Sequence, residues 1–283
     1  MRALVLSEYK HLDVTEVAAP QANAGEVLVQ VAACGICGSD VHGYDGASGR
    51  RIPPIVMGHE AAGTIAALGT GVEGFSVGDR VVFDSTVYCG RCPFCLRGEV
   101  NLCDDRQVVG VSCAEYSRAG AFAEYVAVPA RILYKLPESL SFPEAAMLEA
   151  VAVALHAVCV AQLSGGESAL VIGAGMIGLL LLQAARVSGC SPIYVADIDP
   201  TRLALARELG LGADEALHLS GAELVAAILQ RTGGSGVDVV FEAVGGAETV
   251  ARAIDCVRKG GTVALVGNIA REVAIPLQRV VTR

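Results

Sequence analysis

The segment Val171-Ile172-Gly173-Ala174-Gly175-Met176-Ile177-Gly178 constrains the fold most tightly, because a short apolar strand runs into G-x-G-x-x-G and then into a helical pattern. Its glycines permit a tight turn, close approach of backbone to a pyrophosphate and close helix-strand packing, and the phosphates then meet the helix N-terminus. In a chain with 33 glycines the bare motif is weak, so its context decides. Strands are predicted at 169–172, 193–196, 237–241 and 262–266, with another ending near Leu219. Helices are predicted between them at 176–188, 201–209, 222–231 and 247–257. This alternation predicts an α/β domain, a doubly wound parallel sheet with helices on both faces. The second strand ends at Asp197, nineteen residues after Gly178. A carboxylate there accepts the adenosine ribose hydroxyls and repels a 2′-phosphate, which favours NAD over NADP. Asp199 reads as the N-cap of the next helix, with Pro200 at its first position.

Upstream the texture differs. Short β-type runs at 27–31, 61–68, 80–83 and 122–128, bounded by Gly, Pro or Asp, predict an antiparallel, barrel-like domain. An alanine- and valine-rich stretch, 146–160, reads as a mostly buried helix bridging two domains, 1–150 and 151–283. With 53% hydrophobic and 18% charged residues the chain has ample core material. The richest stretch, 168–185, is broken by glycines, whereas a membrane span needs about 20 predominantly apolar residues. The apolar block at 3–6 is too short for a signal peptide, so a cytoplasmic protein with no membrane partner is expected. The formal net charge of −9 argues against a nucleic-acid partner.

Ten cysteines without an export signal point to reduced thiols serving a metal or catalysis. Cys89, Cys92, Cys95 and, after seven residues, Cys103 can close a tetrahedral zinc shell with no open position, which is a structural site. Spacing alone leaves an iron-sulfur cluster as the rival. Four unrelated buried cysteines is the bland alternative.

A second constellation is dispersed. Cys37 in Gly35-Ile36-Cys37-Gly38-Ser39-Asp40-Val41-His42 and the pair His59-Glu60 offer a thiolate, an imidazole and a carboxylate, the mixture that leaves zinc one exchangeable position. Taken alone, a lone Cys or His is more often core than ligand. Arg50 and Arg51 lie between these residues; paired arginines there either grip a phosphate or form a solvated loop charge. Cys34, Cys113, Cys159, Cys190 and Cys256 read as buried small hydrophobes.

Taken in order, the Cys37 to His42 segment, Gly58-His59-Glu60, the four-cysteine lobe, Gly120-Ala-Phe-Ala-Glu-Tyr125 and the 173–178 glycine motif resemble the zinc-dependent medium-chain alcohol dehydrogenases. The resemblance covers essentially the whole chain and implies a GroES-like β-barrel catalytic domain followed by a Rossmann domain. It implies two zinc ions per chain and NAD, the latter held by Gly173, Gly175, Met176, Ile177, Gly178, Asp197, Arg202 and Val266. Within the family the stretch holding Glu149 is similar to polyol dehydrogenases, where simple alcohol dehydrogenases carry a cysteine; the usual following proline is Ala150 here. The catalytic zinc is therefore expected on Cys37, His59 and a carboxylate, with Glu60 and Glu149 competing. His156 reads as packed core or a neighbour of the ligands.

By the same resemblance Ser39 bonds the substrate oxygen and His42 carries its proton outward, with Glu149 and a water as the other route. The bland alternative for this pair is a turn hydroxyl and a surface histidine. The expected substrate is a polyol or polyol phosphate, with threonine or butanediol as alternatives. A homodimer or homotetramer is implied for the complete protein. A non-catalytic, zinc-stabilised binding protein is the competing hypothesis of another class. Such relatives have six strands in the sheet and a C-terminal return to the catalytic domain, whereas five strands are counted here, so the chain is expected to lack that segment.

Overall fold

A computed structural model of the chain describes residues 1–282, which divide into two compact units, the first Met1–Glu149 and the second from Ala150 onward. The first unit begins with β1 (Arg2–Glu8), β2 (His11–Glu16), β3 (Glu26–Gly35), α1 (Gly38–Tyr44), β4 (Ile55–Val56), β5 (Glu60–Leu68) and β6 (Arg80–Phe83). It continues through β7 (Thr86–Val87), α2 (Pro93–Leu96), β8 (Gln107–Val108), β9 (Val111–Ser112), β10 (Ser117–Arg118), β11 (Tyr125–Pro129), β12 (Leu133–Lys135) and α3 (Phe142–Ala146).

Its core sheet has the order β11-β3-β5-β6-β12, antiparallel throughout. Val27, Val29, Ile65, Val81, Phe83 and Val128 are buried on its inner face. The strand expected from residue 122 begins three residues later, at Tyr125. Gly120, Ala121 and Phe122 instead donate their N–H groups to Val56, Gly58 and Met57 carbonyls, which fastens this loop beside His59.

Helix α4 (Leu148–Val160) starts after a break at Met147 and is less buried than its composition suggested. Only Ala150, Ala154 and Val158 are buried, a single stripe at i, i+4, i+8. His156 and Cys159 are exposed, which corrects the reading of both as packed residues; Cys34 and Cys113 are half-buried, and only Cys190 and Cys256 are buried as expected.

In the second unit come β13 (Ala169–Ile172), α5 (Met176–Val187), β14 (Ile193–Ala196), α6 (Pro200–Glu208), β15 (Glu215–Leu217), α7 (Gly221–Arg231), β16 (Val237–Glu242), α8 (Ala247–Cys256), β17 (Val257–Leu265) and α9 (Leu277–Val281). The sheet is parallel, with order β15-β14-β13-β16-β17. Every residue of β13 and β14 is buried, as befits central strands covered on both faces. Their apolar neighbours form one cluster on each face of the sheet, around Leu181 and Leu203 and around Leu224 and Ile228. The carboxyl ends of β13 and β14 therefore point to one rim, where Gly173 and Asp197 follow the two strands.

Candidate metal centre and dinucleotide site

Ligand-type atoms of Cys37, His59 and Glu60 lie within 4.8 Å of one another. Cys37 is the N-cap of α1, with extended backbone, and its N–H donates to Asp40 Oδ2 at 3.2 Å, so the first helical turn fixes the thiol's Cα. His59 precedes β5 and Glu60 opens it, paired across the ladder with Gly35 at the end of β3.

His59 Nδ1 faces Asp40 Oδ1 at 3.5 Å, which leaves Nε2 as the nitrogen for a metal. Burial opposes protonation of His59, but the adjacent Asp40 carboxylate, the Cys37 thiol and the Glu149 charge outweigh it and push its pKa up to about 10. Burial also pushes Asp40 up, yet His59, the Arg51 charge and the Cys37 N–H hold it below its ordinary value. Glu60 is raised, by burial first and by the Glu149 and Asp40 charges, against the lowering charge of His59.

A half-buried thiol, a buried carboxylate and a buried imidazole drawn to a proton form a set that a divalent cation would neutralise. Glu60 Oε1 is buried with no hydrogen-bond partner among the described residues, as expected of an oxygen awaiting a cation. Glu149 stands outside the three-atom group; Ser85 Oγ donates to its Oε1 at 2.8 Å, while its charge still reaches His59 and Glu60. Ser39 and His42 are three residues apart on α1 and so share one helical side; Ser39 is exposed and His42 half-buried.

Arg51 differs from both readings of its loop. It is 4% exposed, neither a solvated charge nor a free phosphate clamp. Its Nη2 reaches Asp40 Oδ1 at 3.3 Å and donates to Ser39 Oγ at 3.4 Å. Arg50 alone remains exposed. Nothing in the local sequence distinguishes the two arginines. The role of Asp40 was open to detection as an acidic residue three positions after an N-cap.

The Cys89, Cys92, Cys95 and Cys103 thiols form a second group within the same span. Backbone N–H groups of Arg91 and Cys92 donate to Cys89 Sγ at 3.4 Å, and Cys95 N–H donates to Cys92 Sγ at 3.5 Å. Backbone donors, those of Cys95 and Asp104, lower the Cys92 pKa to about 6, as a thiolate ligand requires. Burial instead raises Cys95, so the four thiols fit a metal that takes up their shared negative charge.

In the second unit, Gly173 turns with φ +99°, and a Cβ on Gly178 would lie 1.8 Å from Gly173 O, so helix and turn pack at glycine distance. Gly175 caps α5 with φ −71°, and a Cβ there would meet nothing within 4 Å among the described residues. No contact within the chain requires a glycine at 175, which is the position where a pyrophosphate would pass closest to the backbone. Met176 and Ile177 open α5.

Asp197 is buried and accepts from Ala174 N at 2.6 Å and Asp199 N at 2.8 Å, which aims its carboxylate over the glycine turn. Arg202 Nη1 lies 3.8 Å from Asp197. Asp199 is the N-cap of α6, with Pro200 in the first turn. Val266 N–H is taken by Glu242 O at 2.8 Å, leaving the Val266 carbonyl for a ligand. The buried Glu242 carboxylate, unmarked in the sequence pattern, accepts from Val244 and Gly245 N–H groups and so shapes the neighbouring strand-end loop.

Residues 23–138 match the alcohol dehydrogenase GroES-like domain family and residues 177–283 the zinc-binding dehydrogenase family. A sorbitol dehydrogenase of Bacillus subtilis is 36% identical over 270 residues, covering 94% of this chain and 75% of the relative. This chain belongs to the zinc-binding, medium-chain alcohol dehydrogenase family. Its dehydrogenase relatives include an L-threonine 3-dehydrogenase of Pyrococcus horikoshii, 35% identical over 95% of this chain and 76% of that one. The crystal structure of a zinc-binding dehydrogenase from Sinorhizobium meliloti, bound to NADP, superposes with TM-score 0.89 at 34% identity, covering 99% of this chain and 81% of that one. The dehydrogenase thus has a GroES-like domain and a Rossmann-type domain, and its family chemistry is that of zinc and a nicotinamide cofactor. Among the described residues no helix is long and apolar enough to cross a membrane.

Proposed function

We propose that this dehydrogenase oxidises a secondary alcohol of a polyol or polyol phosphate with NAD. Cys37, His59 and Glu60 would hold a catalytic zinc, and the four-cysteine lobe a structural one. The reading is carried by the convergence of the half-buried Cys37 with the buried His59 and Glu60, and by a buried Glu60 oxygen without a hydrogen-bond partner among the described residues. A zinc ion there supplies Lewis-acid polarisation of the alcohol oxygen, which lowers its pKa.

The chain's own residues do the rest. Oxidation removes a hydride from the carbinol carbon and a proton from its hydroxyl; the hydride passes to the nicotinamide. Ser39 accepts the proton and His42, one turn along α1, passes it outward. Gly173, Gly175 and Gly178 with Met176 and Ile177 leave room for the pyrophosphate at the N-terminus of α5, and the Val266 carbonyl faces the nicotinamide amide. Each Asp197 oxygen already accepts one backbone N–H and keeps a lone pair for a ribose hydroxyl. The same carboxylate disfavours a 2′-phosphate, which supports NAD, although Arg202 stands beside it and the Sinorhizobium relative binds NADP.

The threonine dehydrogenase relative supports a second substrate, a β-hydroxy amino acid. Steady-state rates with sorbitol, galactitol-1-phosphate, butanediol and threonine, each with NAD and NADP, test the reading. It predicts the highest kcat/KM for a polyol with NAD; a preference for threonine favours the second reading, and a preference for NADP removes the role given to Asp197. The cytoplasm and a homo-oligomer are the setting we propose for it.

A further inference from the structure

We propose that Arg51 is a positioning residue of the metal centre: its guanidinium locks the Asp40 carboxylate that holds Cys37 and His59 in place. The proposal rests on the reading that Cys37, His59 and Glu60 bind the catalytic zinc. The Asp40 carboxylate touches both ligand-bearing segments. Its Oδ2 accepts the Cys37 N–H at 3.2 Å, and its Oδ1 faces His59 Nδ1 at 3.5 Å. Arg51 Nη2 approaches the same Oδ1 at 3.3 Å.

The pair is deeply buried, with side-chain exposures of 5% for Arg51 and 2% for Asp40. A buried carboxylate of this kind needs a fixed cation to keep one geometry, and losing that partner leaves the charge uncompensated.

The guanidinium itself is held on several sides. Its Nη1 donates to Arg50 O at 3.1 Å and its Nη2 also donates to Ser39 Oγ at 3.4 Å, the hydroxyl given the proton-accepting role. The Arg51 backbone forms a bridge with Ser112, and Ile52 N donates to Ser112 O at 3.0 Å. Gly43 on α1 supplies the space, since a Cβ there would lie 2.2 Å from Arg51 Cγ. An exposed loop thus sends one arginine inward through a gap that only glycine leaves. Lysine has no planar fork to reach Asp40 and Ser39 through one nitrogen and the Arg50 carbonyl through another.

The test uses the full chain, loaded with zinc or with cobalt, as the unaltered protein, Arg51→Met, Arg51→Lys and the surface control Arg50→Met. Loss of a partner one step behind the ligands costs about 10- to 100-fold in metal affinity. Arg51 stands one step further back, behind Asp40, so Arg51→Met should speed zinc loss to a chelator from the site that Cys37→Ser abolishes by about tenfold, the lower end of that range. It should also shift the cobalt visible band and lower kcat more than it raises KM. Arg51→Lys should fall between, Arg50→Met should match the unaltered chain, and zinc on the cysteine lobe should leave at its original rate.

A lowered melting temperature with unaltered zinc loss and an unaltered cobalt band would overturn the proposal and make Arg51 a packing residue only. If Arg51→Met fails to fold, judged by loss of the lobe zinc, Arg51→Lys decides on the same readouts. If the unaltered chain holds no metal that Cys37→Ser removes, the metal-site reading itself fails, and the assignment of Arg51 with it.

Discussion

Gly35 and Glu60 face each other across β3 and β5, and a Cβ on Gly35 would lie 2.4 Å from Glu60 Oε2. The strand end thus makes room for the carboxylate that completes the Cys37, His59, Glu60 group. Because the obstructed atom is the far end of a flexible side chain, Gly35→Ala should fold with a stability change of about 1 kcal/mol or less. The displaced carboxylate should weaken zinc at this site by about tenfold or more while the cysteine lobe keeps its metal. Zinc titration followed by thermal melts checks both; equal affinity for the two proteins would remove Glu60 from the site.

Gly175 and Gly178 separate ligand space from packing. Gly178→Ala drives a methyl into Gly173 O and should cost several kcal/mol, within the range of overpacked sites, or prevent folding. Gly175→Ala, at φ −71° with open space around it, should melt like the unaltered chain yet bind NAD about tenfold more weakly or worse. Calorimetric titration and thermal melts on the same samples distinguish the two.

Asp238 ties the second unit together across the strands. Its Oδ2 accepts from Ser168 N at 2.8 Å and Ser168 Oγ at 2.6 Å, and its Oδ1 accepts from Arg258 Nε at 2.6 Å. Burial works against the charge, but these donors prevail and hold its pKa at about 2. A depressed carboxyl pKa gives stability that is present above its ordinary value of 3.8 and lost as pH falls toward 2. Asp238→Asn should therefore cost about 1–2 kcal/mol at pH 7 in urea denaturation, and the difference should shrink below pH 4. A constant difference across pH would contradict the assignment.

Much of this was legible in the sequence because it is local. The 173–178 glycines, the Asp199-Pro200 helix start and the Cys89, Cys92, Cys95, Cys103 spacing each specify their geometry within a few residues. The sheet order of the second unit follows from strand and helix alternation, since each crossover has one favoured hand. What stayed hidden depends on contacts between distant segments. Arg51 and Arg50 are indistinguishable until the space left by Gly43 draws one of them onto Asp40. Glu60 and Glu149 are equal candidates until the β3–β5 register places the first beside Cys37 and Ser85 claims the second. The exposure of His156 and Cys159 on α4 was likewise concealed, because a helix apolar everywhere but at Glu149 and His156 carries no clear stripe to read.

The cysteine lobe gives a prediction on metal removal. Metal analysis should find two zinc ions per chain and no iron-sulfur absorbance. Cys103→Ser should reduce the count by one and lower the melting temperature by several degrees, because the backbone donors of the loop would then surround uncompensated thiols.

The most direct test compares turnover, zinc content and NAD affinity of the unaltered chain and Cys37→Ser on the same preparations. Loss of a Lewis acid worth several kcal/mol predicts a fall in kcat of about a thousandfold or more. One zinc should be lost with it, while NAD affinity and the lobe zinc are retained. A Cys37→Ser protein that keeps both zinc ions, or that oxidises its alcohol at the original rate, would contradict the account.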